Sequence, residues 1–453
     1  MCLKEGVTED GVNMVKTAIV RIEKLNEKGF GETKLNNRTI EVPGALPGEV
    51  VVIRMGRKRR GYIARFLEKS EKRIAPVCPH ANLCGGCLWQ DIKYDEQLKL
   101  KESIIQKIFS RIKGDFKLGR IIPSPQIFGY RGKMEFIFAR GASGLALGLR
   151  ELGYFDRVVD IQACWLQPLE ANKALLEFRT KLSILGYPPY NIYTHKGFLR
   201  YLVIRTSFYN GDVLVNIVTT SGVDGKSCKL DFDMLLEETS ASTVVWSVND
   251  SVADVAVGSI KQIFGTGYIV EESLGYKFKI CPYCFYQSNP NQAKTLFKLA
   301  KSLGDEGDLA LDLYCGIGTI AIIVSDKFKK VIGIELEERS VRMARENAQM
   351  NKVNNVEFIA GRVEDMLSDV TRSLSKIDTI FLDPPRSGIH KNARRVIASL
   401  KPERIVYISC NPRTQVDDID YFVHSGYKLI LVQPLDMLPH TPHIETIALL
   451  EKS

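Results

Sequence analysis

Strand-like apolar runs alternate with helical segments from about Cys284 to the end of the chain. The predicted strands cover residues 309–314, 331–335, 356–360, 378–383, 404–409, 428–433 and 445–450. Parallel strands need a crossover, usually a helix, so this alternation predicts a doubly wound, Rossmann-like α/β sheet over residues 285–453. Such a sheet binds its ligands at the carboxyl ends of its strands.

The chain has 453 residues, too many for one hydrophobic core, so two or three domains are expected. Short alternating strands broken by glycine from Lys16 to Phe66 predict a small OB-like β-barrel, assigned to residues 10–68. Residues 74–280 mix strands with helices at 95–112 and 169–185, which predicts a central α+β domain.

The formal net charge of +9 favours a polyanionic partner only weakly. A predicted hairpin of the barrel concentrates basic residues, and its aromatic residues are Tyr62 and Phe66. The basic residues are Arg54, Arg57, Lys58, Arg59, Arg60 and Arg65. This pattern fits an RNA-phosphate surface somewhat better than a solvated turn. With no apolar run of about 18 residues and no visible signal peptide, the expected location is cytoplasmic.

The stretch "LALDLYCGIGTIAI" joins a buried strand to a helix through Gly316 and Gly318. Glycines there let the backbone approach a nucleotide-like ligand, and Glu335 at the end of the next strand can accept both ribose hydroxyls. The third glycine of a dinucleotide site is missing, which favours S-adenosylmethionine, a phosphate-free adenosine cofactor. An ordinary turn closing an α/β unit is the alternative.

Two later strands also end in reactive side chains. Asp383 begins Asp-Pro-Pro-Arg, a stiffened loop that can hold its carboxylate against cofactor or base, although a strand-capping turn is possible. Cys410 ends the following strand before Asn411 and Pro412, so the sequence predicts a thiol on a tight, exposed turn. Most cysteines pack in cores, but this position favours a nucleophile.

A nucleophilic thiol at a methyl-transfer site suggests a specific chemistry. Uracil C5 becomes nucleophilic when a thiolate adds at C6, and a base must afterwards remove the C5 proton. The C-terminal "LDMLPHTPHIETIALL" contains His440, His443 and Glu445 just before the last strand. We choose Glu445 as the base, because histidines so placed are more often structural.

The motifs "DLYCGIGTIAI", "LDPPR", "SCNP" and "PHTPHIE" together resemble the RNA uracil-5-methyltransferase family, and the likeness extends over nearly the whole chain. It implies a methyltransferase domain and an N-terminal RNA-binding module. By that resemblance the nucleophile is Cys410 and the base Glu445. The resemblance also implies Gln287, Tyr314, Glu335 and Asp383 as cofactor residues and Phe285 as the base-stacking aromatic. Thr319 departs from the asparagine of some members.

"CPHANLCGGCLWQ" contains Cys78, Cys84 and Cys87, and Cys164 is a fourth candidate ligand. The C-x5-C-x2-C run with one distant partner favours a [4Fe–4S] cluster over tetrahedral zinc, which usually pairs two short knuckles. Many members of the family that the chain resembles carry such a cluster.

The remaining cysteines are assigned no function. Cys281 and Cys284 form a second C-x-x-C and are interpreted as strand residues, with zinc as the alternative. Cys315 is interpreted as a packing residue, and Cys2 and Cys228 have no visible partner.

The leading hypothesis is methylation of uridine C5 in RNA, with a flipped base. Ribosomal RNA of the large subunit is favoured over transfer RNA, because the barrel and the cluster occur mostly in the ribosomal branch of the family. The alternatives are an amino-group methyltransferase acting on nucleic acid, which needs neither Cys410 nor Glu445, and a non-catalytic RNA-binding or sensor protein.

Overall fold

The computed structural model describes residues 4–5, 16–142, 144–223, 225–371 and 376–453. The chain forms two compact units. The first comprises Met1–Arg111, Arg150–Arg157 and Leu438–Ile444, and the second comprises Ile112–Leu149, Val158–Met437 and Glu445–Ser453. Residues 10–15 of the predicted barrel domain, and Cys2, lie outside the described residues.

The N-terminal strands of the first unit form two small antiparallel sheets, with strand orders β1-β2-β6-β7 and β3-β4-β5. The strands are β1 Lys4–Glu5, β2 Lys16–Arg21, β3 Lys24–Leu25, β4 Gly31–Leu35, β5 Arg38–Val42, β6 Val50–Met55 and β7 Gly61–Glu68. Alternate residues of these strands, among them Val20, Val42 and Ile53, share one buried apolar cluster. Period-two alternation places these residues on the enclosed face, as expected for a small barrel.

A buried ion pair joins the barrel strands to the chain that follows them. The Arg73 guanidinium binds Glu49 (Nε to Oε1, 2.6 Å) and Asp91 (Nη1 to Oδ2, 2.5 Å), and all three side chains are at least nine-tenths buried. The same guanidinium also donates to the Gly44 carbonyl at 2.6 Å. These contacts fix the chain between β7 and helix α1, Tyr94–Phe109.

The central part of the second unit is built on a sheet that has seven strands within the described residues, in the order β11-β10-β9-β12-β13-β16-β17. The elements in this stretch of the chain are β8 Lys117–Leu118, β9 Lys133–Gly141, β10 Gly144–Arg150, β11 Val158–Asp160, α2 Leu169–Leu185, β12 Leu199–Thr206, β13 Val213–Thr219, β14 Gly222–Val223, β15 Lys226–Ser227, α3 Phe232–Leu236, β16 Thr243–Val248, β17 Ser259–Phe264, β18 Ile269–Ser273 and β19 Tyr276–Ile280. Of these, β14 pairs with β15 and β18 pairs with β19 in separate two-stranded sheets, and β8 belongs to the C-terminal sheet. β12 and β13 are buried throughout, whereas the edge strand β17 is exposed throughout. The sheet and α2 agree with the predicted α+β region.

The C-terminal part of the second unit is the predicted doubly wound sheet, with strand order β22-β21-β20-β23-β24-β26-β25-β8. Its elements are α4 Pro290–Leu303, β20 Gly307–Leu313, α5 Thr319–Val324, β21 Phe328–Glu335, α6 Glu338–Met350, β22 Val356–Ala360, α7 Val363–Thr371, β23 Thr379–Leu382, α8 Lys391–Leu400, β24 Arg404–Ser409, α9 Pro412–His424, β25 Tyr427–Leu435 and β26 Glu445–Lys452. Strands β20 to β24 pair in parallel, and β26 runs antiparallel to both β24 and β25. The sequence predicts seven of these strands. It misses β8, which adds two residues beside β25.

Across the part of the chain that the structure describes, no helix has the length and the apolar character needed to cross a membrane.

Replacing Arg73 tests the buried ion pair. The change Arg73→Ala leaves the Glu49 and Asp91 carboxylates buried without their cation, so we expect the first unit to lose roughly 3–5 kcal/mol of stability. Native-state hydrogen exchange of the β2 and β6 amides measures this loss locally. The matched control is Arg21→Ala, because Arg21 and Glu68 form an exposed pair, with 58% and 60% of their side chains accessible. Such pairs contribute about 1 kcal/mol or less. Equal losses in the two variants would contradict the assignment.

Candidate active site

Four predicted site residues meet at one edge of the doubly wound sheet. Tyr314, Asp383 and Cys410 each follow the last residue of one of the neighbouring parallel strands β20, β23 and β24. Glu445 begins β26, which pairs antiparallel with β24 so that Thr446 lies opposite Ser409. The start of β26 therefore lies at the same edge as the end of β24.

The glycine turn after β20 adopts a backbone conformation that few side chains tolerate. The φ angles of Gly316 and Gly318 are +54° and +79°. A Cβ on Gly318 would lie 2.6 Å from Phe358 Cζ, whereas one on Gly316 would meet nothing within 4 Å. Gly318 therefore permits close packing, and Gly316 leaves the backbone open to a ligand.

The Glu335 carboxylate is fixed at the end of β21. Its Oε2 accepts a hydrogen bond from the Gly316 amide at 3.0 Å, and its Oε1 accepts one from the Glu337 amide at 2.9 Å. The remaining acceptor positions of a carboxylate held this way are suited to ribose hydroxyls.

One pocket brings together most of the predicted cofactor and base residues. It is lined by Phe285, Gln287, Tyr314, Gly316 and Asp383, with Thr319 also in its wall. Phe285 remains 64% exposed, so its ring is accessible from solvent. The open backbone at Gly316 and the adjacent Glu335 carboxylate fit an adenosine cofactor that carries no phosphate.

Cys410 lies deeper than the sequence predicts. The thiol is half-buried, and Asn411 and Pro412 are the N-cap and first residue of α9 rather than an exposed turn. The prediction was wrong on this point because proline suits the first helical position, where no amide hydrogen bond is needed. Burial raises the pKa of the Cys410 thiol, and the Glu445 carboxylate raises it further. The Arg386 guanidinium opposes both effects by its charge and by a hydrogen bond to the sulfur.

Arg386 is a site residue to which the sequence assigned no role, although it ends the quoted Asp-Pro-Pro-Arg motif. Its loop is tied to the start of α9, because the Asn411 side-chain amide donates to the Arg386 carbonyl at 2.8 Å. Asp418 supports the same region: its Oδ2 accepts from Tyr407 Oη at 2.7 Å and from the Ile389 amide at 3.0 Å. The signal that could have identified it is its place in the Asp-Pro-Pro-Arg loop, four residues after β23 ends at Leu382.

Three carboxyl groups lie around this edge, of which Asp312 and Glu445 are buried and Asp383 is half-buried. Burial raises the pKa of Asp383 to about 7. Burial raises the pKa of Asp312 to about 8. A hydrogen bond from the Ala321 amide lowers this pKa, and the nearby Asp383 and Glu335 carboxylates raise it. Burial and the Asp383 carboxylate raise the pKa of Glu445 well above its usual range, and Arg386 acts against them. Asp312, within the β20 strand, was also missed by the sequence analysis.

The second C-x-x-C motif differs from its prediction as a pair of strand residues. Cys281 and Cys284 are bonded to each other as a disulfide, and they lie in the turn after β19 rather than in a strand. The spacing C-x-x-C allows a metal knuckle, a dithiol or a short-range disulfide, and sequence alone does not separate these outcomes.

The predicted metal site finds no support in the structure. No group of three or more His, Cys, Asp or Glu side chains arranged to hold a metal ion occurs among the described residues. The predicted ligands Cys78, Cys84 and Cys87 are half-buried in the first unit, and Cys164 is buried in the second.

The two histidines near Glu445 belong to the first unit. Gln97 donates to Nδ1 of His440 at 3.2 Å and accepts from the His440 amide at 2.9 Å, while the His440 carbonyl accepts from the Trp89 amide. His440 is thereby part of a buried hydrogen-bond network, which suits the structural interpretation made from the sequence.

The basic hairpin between β6 and β7 exposes Arg57, Lys58 and Arg59. Arg54 stacks on the Tyr62 and Tyr154 rings, with its guanidinium carbon 5.1 and 4.3 Å from the ring centroids. The hairpin therefore presents its cations beside aromatic rings, a combination typical of nucleic-acid surfaces.

Comparison with known proteins agrees with this geometry. The family model described as tRNA (Uracil-5-)-methyltransferase matches residues 261–453, and the TRAM-domain model of tRNA (uracil(54)-C(5))-methyltransferase matches residues 19–68. An uncharacterized RNA methyltransferase of Caldanaerobacter subterraneus subsp. tengcongensis is 38% identical over 452 residues, covering 96% of this chain and 98% of that protein.

Other relatives have names that state an RNA substrate. The tRNA (uracil(54)-C(5))-methyltransferase of Pyrococcus furiosus is 34% identical, covering 95% of this chain and 98% of that protein. The crystal structure of Pyrococcus abyssi tRNA (uracil-54, C5)-methyltransferase in complex with S-adenosyl-L-homocysteine has a TM-score of 0.78 at 30% identity, covering 96% of this chain and all of that one. The chain therefore belongs to the family of S-adenosylmethionine-dependent RNA uracil-5-methyltransferases, and the predicted enzyme class and multidomain fold are confirmed.

The buried carboxyl groups predict a pH dependence of stability. The pKa of Asp312 rises from 3.8 to about 8 on folding, so the folded state binds this proton more tightly than the unfolded chain does. Stability contributed this way is complete below about pH 4 and is lost as the pH rises towards 8.

We expect Asp312→Asn to flatten the stability profile between pH 4 and 8, by at most about 1.4 kcal/mol per pH unit for one carboxyl group. Chemical denaturation at a series of pH values measures the slope. The control is Asp308→Asn, since Asp308 forms an exposed pair with Lys329. An unchanged slope in Asp312→Asn would contradict the buried proton.

Proposed function

We propose that this enzyme methylates C5 of a uridine in folded RNA by covalent catalysis, with Cys410 as the nucleophile. The observation that carries the proposal is the grouping of Cys410, Arg386 and Glu445 at the sheet edge beside Asp383 and the pocket lined by Phe285. A thiol, a cation that favours its thiolate and a carboxylate are the groups that this chemistry requires.

The reaction starts with the target base flipped out of its stack and held against the Phe285 ring. The Cys410 thiolate, favoured by Arg386, forms a bond to uracil C6, and the electron pair of the C5=C6 bond moves into the enolate. Burial raises the pKa of the thiol, so Arg386 is needed to keep a useful fraction ionised.

S-adenosylmethionine supplies an electrophilic sulfonium methyl group, and Gln287, Tyr314, Glu335 and Asp383 are the residues proposed to hold it. The methyl group would pass to C5 while the electron pair of the broken sulfur–methyl bond stays with the sulfur as S-adenosylhomocysteine, and Glu445 would then remove the C5 proton. The electron pair of the C–H bond restores the C5=C6 double bond, and the Cys410 sulfur leaves as thiolate. The burial that raises the pKa of Glu445 makes the carboxylate a stronger base once it is ionised, and Arg386 favours that ionisation.

The RNA class is the open choice within this proposal. The predicted barrel and cysteine cluster favour large-subunit ribosomal RNA by the family resemblance, whereas the matching family models and two of the relatives bear transfer-RNA names. Both are therefore candidate substrates. Residues 16–68 and their basic hairpin would bind RNA phosphates. We accordingly propose an RNA-binding region at 10–68, a central region at 74–280 and a methyl-transfer region at 285–453. An RNA substrate also favours the cytoplasm.

The test is methyl transfer from labelled S-adenosylmethionine to unmodified large-subunit ribosomal RNA and to unmodified transfer RNA, followed by digestion and identification of the labelled nucleoside. Wild type is expected to yield 5-methyluridine in one RNA class. We expect Cys410→Ala to lose about a thousandfold or more in rate, as nucleophile removal does elsewhere. Glu445→Gln should transfer the methyl group once and remain attached to RNA, because elimination lacks its base.

The attached species is scored as a protein–RNA band that survives denaturing electrophoresis, with Cys410→Ala/Glu445→Gln as the control that cannot form it. Label in another nucleoside, or full activity in Cys410→Ala, would instead support an amino-group methyltransferase.

A [4Fe–4S] cluster held by Cys78, Cys84, Cys87 and Cys164 is proposed from the cysteine spacing, with zinc as the alternative. Two sulfur atoms already accept hydrogen bonds, Cys84 from the Gly86 amide at 3.4 Å and Cys87 from the Gln90 side chain at 3.7 Å. Such bonds suit thiolate ligands. Anaerobic purification should give four irons per chain, and Cys87→Ser should lose them, with Cys228→Ser as the control. Stoichiometric zinc, or no metal, would contradict the cluster.

A further inference from the structure

A second cleft in the same unit has no role in the proposed chemistry. Its volume is about 590 Å³, within the range of small-molecule sites. It is bounded by the end of β16, the start of β17, the Cys281–Cys284 turn and the start of α6. We propose that this cleft binds a second nucleotide of the substrate RNA, an unstacked neighbour of the target uridine. This inference rests on the proposed function.

Chain connectivity links this cleft to the cofactor pocket on two sides. Cys284 lines the cleft, and the next residue, Phe285, lines the cofactor pocket. Glu337 also lines the cleft, and its amide is hydrogen-bonded to Glu335, whose other oxygen binds Gly316 in the cofactor pocket. A nucleotide in the cleft is therefore close to a base stacked on Phe285.

The wall that the cleft shares with Phe285 is rigid. The disulfide closes the turn from Cys281 to Cys284. The buried guanidinium of Arg205 donates to the carbonyl of Pro282 at 3.3 Å and to that of Cys284. The Tyr283 hydroxyl accepts from the Asn216 side chain at 3.2 Å. A preorganised wall lowers the entropic cost of ordering a bound group.

The chemistry of the lining suits a nucleobase with its phosphate. Lys261 and Arg339 are exposed cations, and Asp250 and Glu337 balance their charge. The Asp250 carboxylate accepts a hydrogen bond from the Ser221 amide, which occupies part of its acceptor capacity. With Tyr283, whose ring lies 6.0 Å from the Arg339 guanidinium carbon, the cleft offers donors, acceptors and an aromatic face. Unstacked RNA bases are recognised by these groups.

The cleft would thus read the sequence or conformation beside the target, separately from methyl transfer. The test uses a set of RNA hairpins, each with an abasic residue at one position next to the target uridine. Each hairpin is combined with wild type and with the variant Lys261→Ala/Arg339→Ala, which removes two exposed side chains and leaves the fold intact. Tyr283→Leu is the second variant. Kd for RNA and kcat/KM for methyl transfer are measured for every pair.

We expect one abasic position to weaken binding by wild type about tenfold, the size of a lost base-stacking contact. Tyr283→Leu should weaken binding of the intact hairpin by a similar factor and show no further loss with that abasic hairpin, because the ring and the missing base form one contact. Lys261→Ala/Arg339→Ala should weaken binding of both hairpins, because an abasic residue keeps its phosphate. Lys428→Ala is the matched control, since Lys428 is exposed near the start of β25, opposite Glu451 and thus away from the Cys410 edge. Cofactor binding should be unchanged in all variants.

A loss in Tyr283→Leu that multiplies with the loss at every abasic position, or variants that bind as wild type does, would overturn the second-nucleotide site. Failure of the proposed function looks different: wild type would make no 5-methyluridine. If Tyr283→Leu and the abasic position affect Kd non-additively but no methyl group is transferred, the second-nucleotide site is supported and the proposed methylation is wrong. If methyl transfer occurs but the effects on Kd are independent, the methylation is supported and the second-nucleotide site is wrong.

Discussion

The antiparallel pairing of β26 with β24 is the constraint on which the site depends. In a wholly parallel sheet, the residue that begins a strand and the residue that follows its neighbour lie at opposite edges. Here the reversed β26 puts Glu445 at the edge where Cys410 lies, with Thr446 opposite Ser409. The Thr446 hydroxyl bonds to Gln415 Oε1 at 2.7 Å, and the Gln415 amide donates to the Tyr407 carbonyl, so helix α9 secures this pairing.

The same edge concentrates groups that resist ionisation. Asp312, Asp383 and Glu445 all have raised pKa values, chiefly because they are buried. Arg386 counters this tendency at both Cys410 and Glu445. One cation thus acts on the proposed nucleophile and on the proposed base, which explains why its loop is anchored to α9 through Asn411. Perturbed pKa values clustered in this way are typical of functional sites.

Much of the fold could be predicted from the sequence because its elements repeat a strong pattern. The strands at 356–360 and 404–409 and the helix at 169–185 have the predicted bounds. Strand β8 could not be predicted, since two residues carry no periodicity. The placement of Asp383 and Cys410 at one sheet edge was predictable, because each directly follows one of two neighbouring parallel strands. The disulfide and the influence of Arg386 could not be, because each depends on distances that only the folded chain defines.

The first unit includes Leu438–Ile444, a segment that lies in the chain between β25 and β26. The two units are therefore interleaved in sequence, and no single cut in the chain separates them. Glu445 directly follows this borrowed segment, so the position where β26 begins is tied to the folding of a unit that otherwise starts more than three hundred residues earlier. Deleting the rest of the first unit would leave this segment without its hydrogen-bond partners Trp89 and Gln97.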